Sequence, residues 1–368
     1  MKTKIKIFAM LFVAGTLVMS SCNPDDKDEP LTKEEAQEVL SSTSEEMQSI
    51  AVEAMSTPGG NALMTLMMLN DMELGKNQQI VPFADLLSNP TEFDAKTLVN
   101  SFIPQMVIKA KKNTSQMGEI WTWNFETGYW DYEETAENSV IWIFPSNENQ
   151  MVAQVNDAKL TISNLELLEQ NADIFPISAS ISLTIDEVEE MSASYEASLS
   201  NNGIEEIQIS VTLAPFELNA SLIATSTSNS VKVVISHTLK KDGVPLSTSN
   251  IELVFEGTSV LNPFMEDDLM PSTAKGYLHM GEIKAEVNYA VAAFLGATVN
   301  ATDINILVAA ANEHLNMIFK TYPGGDKIGS ITWDSKWDME EEIITPLFEY
   351  NDGTTETLEE AFNFTFQL

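Results

Sequence analysis

The spacing of apolar positions changes period along the chain and divides it into three stretches. Ile7 to Met19 form an unbroken apolar or small run. From residue 36 the pattern is helical, with Ala36, Val39, Leu40, Met47, Ile50, Ala51 and Met55 on one face. Thr32-Lys-Glu-Glu35 opens this helix as a capping box, and Pro58-Gly-Gly60 is expected to end it. A second helix is predicted over 62–72, crowded with Met64, Met67, Met68 and Leu69. Soft core packing is the ordinary role of such methionines, and an adaptable ligand groove is the alternative. A short third helix is predicted near Asp94 to Ser101, stopped by Pro104.

From about residue 118 the period becomes 2. Ile177, Ala179, Ile181, Leu183 and Ile185 alternate with serine and threonine, and Met191, Ala193, Tyr195, Ala197 and Leu199 repeat the pattern. Asn201-Asn-Gly203 is a turn signal. Ile207 to Leu213, Phe216 to Leu222 and Val231 to Leu239 continue the alternation, Lys241-Asp-Gly243 turns the chain again, and Ile251, Leu253 and Phe255 follow. Successive strands with one apolar and one Ser/Thr/Glu face describe an antiparallel meander with one wet side.

The apolar side needs a cover, and helices are the obvious one. Besides the amino-terminal pair, a helix is predicted from Asp303, capped by Thr302, to Phe319. Strands are expected again at Gly276 to Val287, Ile328 to Trp333 and Ile344 to Tyr350. The predicted fold class is therefore α+β: a large, curved antiparallel sheet, a meander or half-barrel, with helices covering one face. The organisation expected is a leader over 1–21, an acidic tether over 22–31 and a single α+β domain over 32–368, helical over 32–104 and sheet with an inserted helix over 118–368. In element order it resembles the half-barrel lipid-carrier lipoproteins of the LolA and LppX type, a resemblance of architecture that transfers no residue roles.

The most distinctive patch is Gly118 to Tyr132, GEIWTWNFETGYWDY. A four-residue hairpin loop, Phe125 to Gly128, sets Trp123 opposite Trp130 and Trp121 opposite Tyr132, with all four rings on one face. A three-residue loop splits them between faces. Exposed, the rings suit sugars or an acyl chain, which makes Trp121, Trp123, Trp130 and Tyr132 candidate ligand-binding residues. Buried, they are cross-strand packing, and burial of at least two of the three tryptophans is the expectation. Trp142 and Phe144 enlarge either cluster.

The run over 7–19 follows Lys2, Lys4 and Lys6. It reads as an export leader, too short to span a bilayer comfortably. Met19-Ser-Ser-Cys22 holds the chain's one cysteine and resembles the lipobox of bacterial lipoproteins. That resemblance implies removal of the leader and acylation of Cys22, and two or more acyl chains give stable anchoring. Asn23-Pro-Asp-Asp-Lys-Asp-Glu-Pro30 resembles the acidic export signal of Bacteroidetes-type surface lipoproteins, which implies that Asp25, Asp26, Asp28 and Glu29 address the protein to the outer face of the outer membrane. Extended, residues 23–31 reach about 30 Å at ~3.3 to 3.6 Å per residue.

Charge narrows the partners. Nineteen basic residues, all lysine, face 55 acids, for a formal net charge of −36. Nucleic acid is excluded on electrostatic grounds, and the lack of arginine removes the usual bidentate clamp for phosphate and carboxylate. No catalytic motif is present, and His237, His279 and His314 are widely spaced. His237, on the apolar side of its strand, reads as a hydrogen-bonded core histidine, and His314 as a surface one. No cofactor is expected. Weak calcium binding is assigned to Asp334, Asp338, Asp352 and Glu356, where a solvated acidic face is the ordinary reading. The functional expectation is a noncatalytic, lipid-anchored envelope or cell-surface binding protein with an apolar or glycan ligand. A structural or accessory lipoprotein docking a partner protein is the alternative.

Overall fold

The computed structural model describes residues 30–73, 118–137, 139–170, 173–200, 203–259, 270–299, 301–338 and 341–362. The leader, Cys22, the acidic run Asp25 to Glu29 and the helix expected near 94–101 lie outside the described residues. Two helices come first, α1 (Lys33–Ser56) and α2 (Pro58–Glu73). Strands β1 (Gly118–Asn124), β2 (Tyr129–Thr135) and β3 (Val140–Phe144) precede α3 (Glu148–Ala153). The long strands β4 (Ala158–Gln170), β5 (Asp173–Ile185), β6 (Val188–Ser200), β7 (Gly203–Leu213), β8 (Phe216–Ser226), β9 (Ser230–Lys241) and β10 (Val244–Glu256) follow. Then come β11 (Thr273–Met280), β12 (Ile283–Tyr289), α4 (Val291–Thr298), α5 (Ile304–His314), β13 (Leu315–Thr321), β14 (Lys327–Asp338), β15 (Glu341–Tyr350), β16 (Thr355–Thr357) and α6 (Leu358–Ala361).

The strands form one 16-stranded, open sheet in the order β16 to β3 followed by β1 and β2. From β3 to β16 the spatial order follows the chain, as a meander requires. The β1–β3 pair is parallel. The chain divides into two compact units, one built from residues up to 50, 222–239 and 244 onward, the second from 51–221 and 240–243.

In the second unit the period-2 pattern becomes two chemically distinct faces. Ile162, Ile181, Ala193 and Val211 are lateral partners across β4 to β7, as are Leu160, Leu183, Met191 and Leu213. The rows that alternate with them are Thr161, Ser182, Ser192 and Thr212, and Ser163, Ser180, Ser194 and Ser210. Alternation thus places the apolar rows on one face and hydroxyl rows on the other. Helix α2 contributes the buried Ala62, Leu63, Leu66 and Leu69. Met64 and Met68 are 46% and 48% exposed, so leucines carry the packing expected of the methionines. Helix α1 ends at Ser56, directly before Pro58-Gly-Gly60 as expected, and the same residues open α2, with Pro58 at the first helical position, where a missing N–H costs nothing. A Cβ at Gly59 would stand 2.6 Å from Leu213 Cδ1, so this helix start approaches β7 closely.

In the first unit the capping box forms as expected: the Glu35 N–H donates to Thr32 Oγ1 (3.3 Å) and the Thr32 N–H to Glu35 Oε2 (2.9 Å). Ala36 and Leu40 of α1, Val291 and Phe294 of α4, and Ala310 and Ala311 of α5 share one core with Val231, Val233, Leu253, Phe255, Ile283, Ala285 and Phe348. Two expectations change here. The strand expected over 276–287 is a hairpin, because Gly281 adopts a left-handed φ of 54° and Met280 pairs with Ile283. The helix expected to reach Phe319 ends at His314, and Asp303, not Thr302, caps it through the Asn305 N–H. Leu315-Asn-Met-Ile-Phe319 satisfies both periods. Pairing with β12 and β14 selects the strand, burying Leu315, Met317 and Phe319 and leaving Ile318 37% exposed.

Candidate functional site: an aromatic hairpin ledge

Asn124 builds the hairpin turn. Its Oδ1 accepts the Glu126 and Thr127 N–H groups at 2.9 and 3.2 Å, its carbonyl accepts the Gly128 N–H at 2.9 Å, and its Nδ2 donates to Asp131 Oδ2 at 2.8 Å. Gly128 takes a left-handed φ of 71°, which a glycine adopts without strain. The loop therefore has four residues, and Trp121 stands opposite Tyr132 and Trp123 opposite Trp130. All four rings share a face, with Glu119 opposite Glu134 on the same face.

Exposure grades along that face. Trp123 and Trp130 are 5% and 7% exposed and meet edge to face with centroids 5.3 Å apart. Trp121 is half-buried, Tyr132 is 48% exposed, and their rings lie 5.0 Å apart. The Trp121 indole N–H donates to Glu119 Oε2 at 3.2 Å. Partial burial raises the Tyr132 pKa, and the charges of Glu119 and Glu134 add to the rise, so the phenol stays protonated. The face is an acid pair, then two accessible rings, then two buried ones.

Beside it, parallel pairing sets Trp142 next to Trp121. Trp142 and Phe144 are buried. The indole N–H groups of Trp130 and Trp142, Ser139 Oγ and Asn156 Oδ1 are buried with no hydrogen-bond partner. Asn156 spends its Nδ2 on the Trp123 carbonyl at 2.9 Å. Buried polar atoms are normally paired with protein or ordered water, and leaving them unpaired costs free energy. The tryptophan pattern announces the rings, whereas nothing in the sequence announces Ser139 or Asn156.

The remaining candidates are dispersed. Asp334 accepts the Ser335 N–H at 2.7 Å, and Asp338 pairs with Glu341 across β14 and β15. Asp352 accepts the Thr354 N–H and hydroxyl, which, with Lys33 adding to them, hold its pKa below the usual carboxylate range. Glu356 meets the Lys33 ammonium at 2.7 Å and accepts from the Tyr350 hydroxyl at 2.7 Å and Gln37 at 3.1 Å. Burial alone would raise the Glu356 pKa, but these three donors outweigh it and the pKa falls. Lys33 thus supplies the cation between α1 and the β15–β16 turn. Among the described residues no group of three or more His, Cys, Asp or Glu side chains could hold a metal ion.

The histidines lie in polar frames. His237 is held at both ring nitrogens, Nε2 by Ser247 Oγ at 3.0 Å and Nδ1 by Ser249 Oγ at 2.7 Å, and burial pushes its pKa down to about 4. His279 Nδ1 lies 3.3 Å from Thr248 Oγ1, and its ring stands 5.1 Å from that of Tyr322. Burial, with His237 and Lys284 adding to it, pushes its pKa down to about 2. His314 ends α5.

No protein-family model matches the chain, and no curated protein matches it. Among solved structures, a porin-like protein from Bacteroides vulgatus is similar at 11% identity and a TM-score of 0.21, over 52% of this chain and 88% of that one. A likeness this shallow carries nothing about fold or role.

Proposed function

We propose that the protein is a noncatalytic, lipid-anchored binding protein of the bacterial outer membrane, facing the cell surface, that takes an apolar or glycan ligand on the aromatic hairpin. The leader, Cys22 and the acidic run support the anchor and the address. One observation carries the ligand reading: the accessible Trp121–Tyr132 pair sits beside the acid pair Glu119–Glu134 on one face of the hairpin. Flat rings bury the apolar face of a sugar or an acyl chain, and the carboxylates accept hydrogen bonds from hydroxyl groups. In the first unit helices cover the apolar sheet face, which directs ligands to outer surfaces; the shared core of α1, α4, α5 and the strands supports this. The noncatalytic reading draws on His237, whose ring nitrogens are both engaged by serine hydroxyls.

The test is intrinsic fluorescence titrated with oligosaccharides and with fatty acids. A ligand that shifts the emission of the parent and no longer binds Trp121→Ala or Tyr132→Ala supports the reading. A ligand that binds all three proteins equally refutes the assignment to the hairpin. An accessory role in docking a protein is the second reading, favoured by the exposed Met64 and Met68, one helical turn apart on α2.

A further inference from the structure

The ring face of the hairpin continues the apolar face of its sheet. Lateral pairing carries one row from Glu134 through Glu119, Val140 and Ile162 to Ile181, and the next from Tyr132 through Trp121, Trp142 and Leu160 to Leu183. On β3 to β5 every member of both rows is buried. Two carboxylates therefore occupy positions that the same row fills with valine and isoleucine further in. They stand directly opposite each other, which like charges make unfavourable.

No described residue on that face neutralises them. The one lysine of β1 to β4, Lys159, lies in the row of Ile143, Thr122 and Asp131, on the opposite face. Glu119 accepts the Trp121 indole N–H at 3.2 Å, and neither acid forms an ion pair with a described residue. Edge protection accounts for one acid and not for both. An inward charge on an edge strand blocks pairing with other chains, and β2 ends the sheet, so Glu134 serves that purpose. Glu119 lies on β1, which is paired on both sides. Two residues along the strands from the acids, roughly 7 Å away at ~3.4 Å per residue, stand the accessible rings of Trp121 and Tyr132, tilted 53° to each other.

We infer that Glu119, Glu134, Trp121 and Tyr132 bind a saccharide bearing free amino groups, with the apolar face of a sugar on the rings and its ammonium between the carboxylates. This rests on the hairpin as the ligand site and adds the ligand's charge. An ammonium has three N–H donors and no acceptor, so it meets both carboxylates at once and removes their repulsion. Hydrogen bonds between ionised groups are roughly twice as strong as neutral ones, and the ring faces attract the same cation. A neutral sugar leaves the acids opposed, and a lysine side chain brings the charge without a ring to stack.

Calorimetric titration of the detergent-solubilised full chain tests it with three tetramers that differ at one position of each ring: β-1,4-linked glucosamine, its N-acetylated counterpart, and the glucose tetramer. The glucosamine tetramer should bind at least about tenfold more tightly than the other two, the worth of one charge-assisted contact. Glu134→Gln should weaken it by about the same factor. Glu134 is exposed and has no described partner, so this change leaves the fold intact. Glu256→Gln, an equal change of charge at the exposed end of β10, should bind as the parent does and separates the site from the general attraction of an acidic chain for cations. The inference is overturned by a parent that does not bind the glucosamine tetramer, by Glu256→Gln weakening it as much as Glu134→Gln, or by tetralysine binding as tightly. Equal binding of all three tetramers, lost in Trp121→Ala, overturns it while leaving the hairpin reading standing.

Discussion

Trp123 is where packing and ligand binding at the hairpin separate. It is 5% exposed and meets Trp130 edge to face at 5.3 Å. Truncating a large aromatic in a core costs ~3 to 5 kcal/mol, of which the ring pair accounts for about 0.5 to 1.5 kcal/mol. Trp123→Ala should therefore lower unfolding free energy by about 3 kcal/mol or more. Half-buried Trp121 loses one partly exposed ring contact and one hydrogen bond to Glu119. Its change to alanine should cost about 1 kcal/mol, near the centre of measured point substitutions. Urea unfolding followed by far-UV circular dichroism measures both without relying on the fluorophore being removed. A gap of at least ~2 kcal/mol between the variants at unchanged m-value is expected. Trp123→Ala unfolding within ~1 kcal/mol of the parent would refute the buried reading and make all three hairpin tryptophans ligand residues.

Further outcomes follow from the anchor, the histidines and the acids. Cys22→Ala should move the protein from the membrane to the soluble fraction, and replacing Asp25, Asp26, Asp28 and Glu29 with asparagine should leave it lipidated but shielded from external protease. His237 and His279 are neutral in the fold, with pKa values near 4 and 2 against an ordinary 6.5. The unfolded chain takes up their protons first, so their contribution is fully present above about pH 6.5 and declines as pH falls toward about 4. His237→Gln should flatten urea-unfolding stability between about pH 6.5 and 5; an unchanged slope would show that His237 does not titrate on unfolding. Melting temperature should rise with sodium chloride as acid repulsion is screened, and calcium at matched ionic strength should add little, because Lys33 already sits against Glu356. A large extra rise with calcium would mean oxygen-ligand sites.

Where one period dominated, the sequence was legible. Ile181, Leu183, Met191, Ala193 and Ile209 are buried as their alternation implies, and Lys241-Asp-Gly243 turns with positive φ at both Asp242 and Gly243. The hairpin register depended on loop length, and Asn124 decided it through three hydrogen bonds that a linear pattern does not display. Legibility failed where two periods fit, as at Leu315 to Phe319, where partner strands chose. It failed too where a breaker had two meanings: Pro58 closes one helix and opens the next with equal chemistry.

The claim at the centre of this account is that the protein carries a ligand rather than transforming one. Mass spectrometry of what copurifies with the full chain, extracted from membranes in mild detergent, tests it most directly. A lipid or saccharide retained by the parent and depleted in Trp121→Ala and Tyr132→Ala is expected. Preparations in which the parent and both variants carry the same molecules in the same amounts would contradict it.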